Sequence, residues 1–133
     1  MPANPSQLAK VNGIELGYQV FGDGEPLLLL HGGFGTMEMF GPNIELLAAG
    51  RRVVGVDLQS HGRSPAADRP MRLEAMGDDI AALIGALGLE RAAVMGFSSA
   101  GRSPCGPPSS TPTWSSGWCW CRPSSSARAG TRR

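Results

Sequence analysis

Three clusters in this sequence have residue types and spacings suited to chemistry. The first is VMGFSSAG, Val94 to Gly101, in which Gly96-Phe97-Ser98 follows a short apolar run. A serine at a tight turn between a buried strand and a helix sits on strained backbone with its hydroxyl exposed, as a nucleophile requires. Gly96 lets the turn form without a Cβ clash, and the N–H of Ser99 would help to hold an oxyanion. Gly-x-Ser alone also fits a plain turn serine; its position after a third strand gives it weight. The second cluster is His31-Gly32-Gly33-Phe34-Gly35, again after an apolar run. Its glycines let backbone N–H groups approach a ligand oxygen, and the N–H of Gly33 or Phe34 would be the second oxyanion donor. His31 reads as a loop histidine bonded to nearby backbone. The third cluster is Asp57-Leu58-Gln59-Ser60-His61-Gly62-Arg63-Ser64. Asp57 and His61 have the types of a catalytic pair, but the favoured reading is structural, with these side chains tying down the loop.

The elements that must position these clusters follow from patterning. Val11 to Phe21 alternates roughly, with Asn12-Gly13 as a turn signal, and reads as a hairpin or edge strand. Pro26 to Leu30 is apolar without alternation, the mark of a strand buried on both faces. Thr36 would cap a helix through Met39, Phe40, Ile44 and Leu47, weakened or divided at Gly41-Pro42 and stopped by Gly50. Arg52 to Leu58 is a second buried strand. Pro70 would open the next helix, whose stripe is Leu73, Met76, Ile80, Leu83, Ile84 and Leu87, with Gly88 as its stop. Arg91 to Met95 is a third buried strand, left as an exposed apolar edge if nothing follows it. Strand, helix, strand, helix, strand predicts an α/β fold with a mostly parallel sheet and helices on both faces. The three clusters then gather beyond the carboxyl ends of the strands, where such sheets bind ligands.

Bulk properties exclude several classes. A net charge of +1 and a hydrophobic fraction of 41% are ordinary for a globular domain, and no basic excess points to nucleic acid. The N-terminus has no signal-peptide pattern, and Leu27 to Leu30 is far too short to cross a bilayer, so no membrane partner and a cytoplasmic location are expected. Residue types are sorted along the chain. Every acidic residue lies at or before Glu90, whereas Cys105, Cys119, Cys121, Trp114, Trp118 and Trp120 all follow Gly101. The cysteines match no zinc pattern, and neither a metal nor a cofactor is expected. The segment is rich in Ser, Pro and Arg with no apolar period, and apart from Trp118 to Cys121 it is expected to be disordered.

His-Gly-Gly after one strand, Asp-x-x-x-His-Gly-x-Ser after the next and Gly-Phe-Ser after the third together resemble the α/β-hydrolase superfamily over Val11 to Gly101. The resemblance implies that Ser98 attacks an ester, amide or similar carbonyl of a small-molecule substrate. Gly33 or Phe34 would form the oxyanion hole with Ser99, and a later acid and a C-terminal histidine would complete the triad. A serine nucleophile argues against the dehalogenase and epoxide-hydrolase branches, which use Asp. Substrate choice rests on a cap and later loops, and oligomeric state is left open.

Two departures stand out. Ala100 replaces the first glycine of the family's Gly-x-Ser-x-Gly-Gly, and His31 and His61 both precede Ser98, with no carboxylate or histidine after it. With GC-rich codons, inserting one base after the Ser98 codon restores Gly-Phe-Ser-Leu-Gly-Gly. An amphipathic helix, a His-Pro turn and a hydrophobic strand then follow. The expectation is a partial α/β-hydrolase domain over residues 1–101 and an out-of-frame tail over 102–133. The chain would then be a truncated, inactive form of a serine hydrolase resembling carboxylesterases and lipases. The alternative is a non-catalytic fragment or binding protein.

Overall fold

A computed structural model describes residues 4–97 and the backbone of one further strand, Trp118–Cys121. The chain starts with β1 (Gln7–Val11) and β2 (Ile14–Phe21), an antiparallel hairpin in which Val11 faces Ile14. Asn12 and Gly13, at φ +48° and +82°, supply the two left-handed positions that a two-residue hairpin turn needs. The hairpin begins earlier than the alternation from Val11 suggests.

Next come β3 (Glu25–Leu30), a short 3-10 turn (Met37–Phe40), α1 (Asn43–Ala48) and β4 (Arg51–Val56). α2 (Leu73–Ala86) and β5 (Ala92–Gly96) follow, and β6 is Trp118–Cys121. The sheet order is β1-β2-β4-β3-β5-β6. Its centre, β4-β3-β5, is parallel, as the strand–helix alternation predicts. The flanks are antiparallel, which makes the sheet mixed.

Four consecutive leucines explain why β3 sits in the middle. Leu28 and Leu30 pack with Ile80, Leu83 and Ile84 of α2, and with Val54, Val56 and Val94. Leu27 and Leu29 face the other way, onto Ile44 and Ala48 of α1. A strand covered on both sides needs no polar face. The chain passes from β3 through α1 to β4 on one side. It then returns through α2 to β5 on the other side. That reversal is the switch point of the sheet, and open sheets of this kind bind ligands beyond the carboxyl ends of the strands there.

Three expectations need correction. The Thr36 hydroxyl bonds Glu38 at 2.5 Å instead of capping, while the helix is divided at Gly41-Pro42 into the 3-10 turn and α1, as those residues predict. Pro70 does not open α2, which begins at Leu73. Before it, the Arg69 carbonyl accepts from the Gln59 side chain at 2.8 Å, and the Arg69 guanidinium binds Gln59 and Asp79. These bonds tie the segment down, and Arg72 is still extended. β5 is not the sheet edge, because β6 pairs with it antiparallel, Ala92 opposite Cys121 and Met95 opposite Trp118. The rest of the expected disordered tail lies outside the described residues. α2 ends as its glycine predicts. Gly88 takes φ +70°, and the Leu89 N–H returns to the Ile84 carbonyl at 3.1 Å.

Truncation of a buried α2 residue tests this packing. Leu83→Ala should lower the unfolding free energy by about 2–5 kcal/mol. Leu46→Ala, at a position 74% exposed, should change it by no more than about 0.5 kcal/mol. Urea unfolding followed by circular dichroism measures both.

Candidate active site

The turn after β3 is built by backbone geometry. The Gly35 N–H donates to the Gly32 carbonyl at 3.2 Å, and Phe34 takes φ +60°. Bulky residues rarely adopt that conformation, and it occurs preferentially at functional sites. Gly33 and Phe34 are exposed, whereas His31 is fully buried. The His31 Nδ1 faces the Gly32 carbonyl at 2.7 Å, so it carries the proton. Its Nε2 accepts the Leu58 N–H at 2.9 Å and links this turn to the loop after β4. Desolvation by burial, more than any other influence, holds the His31 pKa below its usual 6.5.

The loop after β4 centres on Asp57, whose side chain has no solvent exposure. Its Oδ1 accepts the Met37 N–H at 2.8 Å, and its Oδ2 accepts the Arg63 N–H at 2.9 Å and Nη1 at 3.3 Å. The Ser64 hydroxyl donates to the Asp57 carbonyl at 2.6 Å and accepts the Gly17 N–H at 2.8 Å, which ties the loop to β2. His61 does not bond Asp57. Its Nδ1 donates to the Gln59 carbonyl at 2.8 Å, and its Nε2 accepts the Phe34 N–H at 3.3 Å. The two imidazoles stack at a tilt, 5.0 Å between centroids.

Arg63 also pairs with Glu38 on the 3-10 turn, and this bond with that from Thr36 pulls the Glu38 carboxyl down to about 2. The Glu38 side chain is 55% exposed, so water screens much of the pair and it adds little stability. Arg63 and Gly17 carry no motif of their own. A Cβ on Gly17 would lie 2.7 Å from the Arg63 Cβ, a close approach visible only in three dimensions.

His31, Gly33, Phe34, Asp57 and His61 therefore gather at the carboxyl ends of β3 and β4. The Phe97 N–H donates to the Leu30 carbonyl at 3.0 Å and extends the β3–β5 pairing one residue past β5. Ser98 and Ser99 lie outside the described residues. No group of side chains among the described residues is arranged to hold a metal. A cleft of about 690 Å³ between the β1–β2 turn and residues 65–69 includes none of these residues.

Two predictions follow from this geometry. Gly62 has φ +49°, and a Cβ there would lie 2.4 Å from the Asp57 Oδ2; Gly13 has φ +82° with open space around it. Gly13→Ala should cost about 1 kcal/mol, from backbone strain alone. Gly62→Ala should cost at least about 2 kcal/mol more, because the Asp57 carboxylate must move. Acid should also act through His31. Its folded pKa is depressed, so the unfolded chain takes up the proton first. Its contribution is complete above about pH 6.5 and is lost as the pH falls from there through the folded value. The urea midpoint should drop on acidification below about pH 6.5, and His31→Asn should flatten that drop.

The sequence matches the alpha/beta hydrolase fold family over residues 25–102. It is 30% identical over 105 residues to sn-1-specific diacylglycerol lipase ABHD11 of Danio rerio, covering 75% of this chain and 33% of that protein. It is 40% identical over 84 residues to AB hydrolase superfamily protein YisY of Bacillus subtilis (strain 168), covering 60% and 30%. The fold superposes on epoxide hydrolase VrEH1 from Vigna radiata with a TM-score of 0.70 at 25% identity, covering 74% of this chain and 33% of that one. The chain thus spans about a third of the length of these relatives. With the Gly-rich turn, the buried Asp57 loop and the end of β5 at the carboxyl ends of neighbouring strands, and with the family match running through all three, the chain belongs to the α/β-hydrolase fold family.

Proposed function

We propose that this chain is the N-terminal part of a serine hydrolase acting on an ester or related carbonyl compound, with Ser98 as nucleophile. One juxtaposition carries the reading. β3 and β5 are neighbours at the switch point, and the Phe97 N–H bonds the Leu30 carbonyl, so the Gly-rich turn leaves β3 beside the residue that precedes Ser98. The N–H of Phe34 or Gly33, with that of Ser99, would hold the oxyanion formed when the serine oxygen attacks the carbonyl. His31, Asp57 and His61 take structural roles. Relatives include both a lipase and an epoxide hydrolase by name. The serine at 98 favours the ester side, since the resembling epoxide-hydrolase branch uses Asp. Neither a metal nor another cofactor enters the mechanism. No described helix is long and apolar enough to cross a membrane, and we place the protein in the cytoplasm with a small-molecule substrate and no nucleic-acid partner.

A second reading is favoured by one observation: no Asp, Glu or His follows Ser98 in these 133 residues. On this reading residues 1–101 are a partial domain, 102–133 are out-of-frame translation, and the chain is an inactive fragment. Loss of the base alone costs around a million-fold in turnover. Residual catalysis from binding and oxyanion contacts is roughly 10³–10⁴ over water.

Sequencing the gene across the Ser98 codon, with a fluorophosphonate probe and an activated short-chain ester, tests both readings. The chain as it stands should show neither stoichiometric labelling nor sustained turnover. A version with the frame restored should show both, and Ser98→Ala should abolish both. An alternative frame that is broken by early stops, or that encodes no acid and histidine, would refute the frame slip. Labelling that survives Ser98→Ala would refute the nucleophile.

A further inference from the structure

The Phe34 side chain is fully exposed, so no packing explains how a bulky residue is kept at φ +60°. Two hydrogen bonds hold the position: the turn bond from the Gly35 N–H to the Gly32 carbonyl, and that from the Phe34 N–H to the His61 side-chain Nε2. His61 is itself fixed. Its own N–H donates to the Leu58 carbonyl at 3.0 Å, its Nδ1–H to the Gln59 carbonyl at 2.8 Å, and its ring rests against His31. A carbonyl only accepts, so the proton sits on Nδ1 and Nε2 presents a lone pair. The imidazole therefore occupies the place of an acceptor opposite the Phe34 N–H.

We propose that His61 is a positioning residue, which aims the Phe34 N–H and yields it to the substrate oxygen. This rests on the reading of that N–H as an oxyanion donor. At 3.3 Å the contact is longer than an ordinary N–H···O bond. A developing oxyanion is a charged acceptor that bonds such donors at about 2.7–3.1 Å. It outcompetes a neutral ring nitrogen, and a small tilt of the Phe34 peptide turns the N–H from the ring to the oxyanion. Asp57 and Arg63 do not take this role, since their bonds run to the 3-10 turn and to each other.

Nuclear magnetic resonance on the 133-residue chain tests the idea without any need for Ser98 to react. In the unmodified chain the His61 nitrogen shifts should report a protonated Nδ1 and a bare Nε2. His61→Ala should speed hydrogen exchange at the Phe34 amide about fivefold, the equivalent of one net hydrogen bond. Amides of β3 and β4 should be unaffected. His61→Gln, whose side-chain oxygen can accept, should restore most of the protection. A proton on Nε2 in the unmodified chain overturns the proposal even if His61→Ala fails to fold. So does unchanged Phe34 exchange in His61→Ala. Lack of Ser98 labelling would leave a positive result here standing, and a negative result here would leave Ser98 untouched.

Discussion

The arrangement depends on one buried carboxylate. Asp57 follows β4 directly, has no solvent exposure and accepts N–H groups from both the 3-10 turn and Arg63. A bare carboxylate in such a place is prohibitively costly; with backbone N–H groups and a guanidinium around it, the charge is matched by strong, short bonds. Two loops from different strands end on the same two oxygens. The Gly-rich turn cannot shift against the β4 loop without stranding a donor or an acceptor, each worth about 1–3 kcal/mol when left buried and unpaired. Gly62 is the steric complement of this knot, since any side chain there would enter the space of the carboxylate.

That knot matters because of where the sheet puts it. β3 is the hinge of the topology, with β4 on one side and β5 on the other. Its four leucines alternate between α1 and α2, so sliding β3 by one residue would exchange the two cores. Register along β3 therefore fixes the height of Leu30, which fixes both Phe97 through its hydrogen bond and His31 through the chain. The Arg69–Asp79–Gln59 cluster does the corresponding work at the other end of the loop. Asp79 on α2 is buried and takes a guanidinium from the segment that leads into the helix. The loop between β4 and α2 is thus pinned at both ends by a carboxylate.

Much of this is legible in the sequence, because the relevant signals are local. Uninterrupted Leu27–Leu30, the stripe from Met76 to Leu87 and the turn at Asn12-Gly13 each declare their element by period or by backbone preference. Gathering of the polar clusters at one edge follows from strand order alone. What escapes is whatever depends on distant partners. Nothing near Pro70 says that Arg69 will be held by Asp79 ten residues on, so the helix starts later than its proline suggests. Gly17 looks like any strand glycine until Arg63 lies against it. Trp118–Cys121 stands apart from the rest of the tail in the sequence, but its pairing with β5 does not show there. The partner of Phe34 is equally invisible, because Phe34 and His61 are separated by 27 residues.

On the proposed reading, the histidines explain why oxyanion binding and proton transfer part company in this piece of the fold. Backbone N–H groups come with the turn after β3, so the proposed oxyanion donors need only the central strands. A base for a serine hydroxyl needs an imidazole with a free lone pair facing it. Both imidazoles of this chain are committed. His31 gives Nδ1–H to Gly32 and accepts from Leu58, and His61 gives Nδ1–H to Gln59 and accepts from Phe34. Recruiting His31 would strip a buried N–H of its partner and rotate a ring that has no space to turn. Recruiting His61 would take the acceptor from the N–H assigned to the oxyanion, and Asp57, bonded elsewhere, could not support the resulting imidazolium. On the proposed reading, the half of the site that stabilises charge is assembled from neighbouring strands early in the chain. The half that moves protons has no Asp, Glu or His after Ser98 to draw on in these 133 residues.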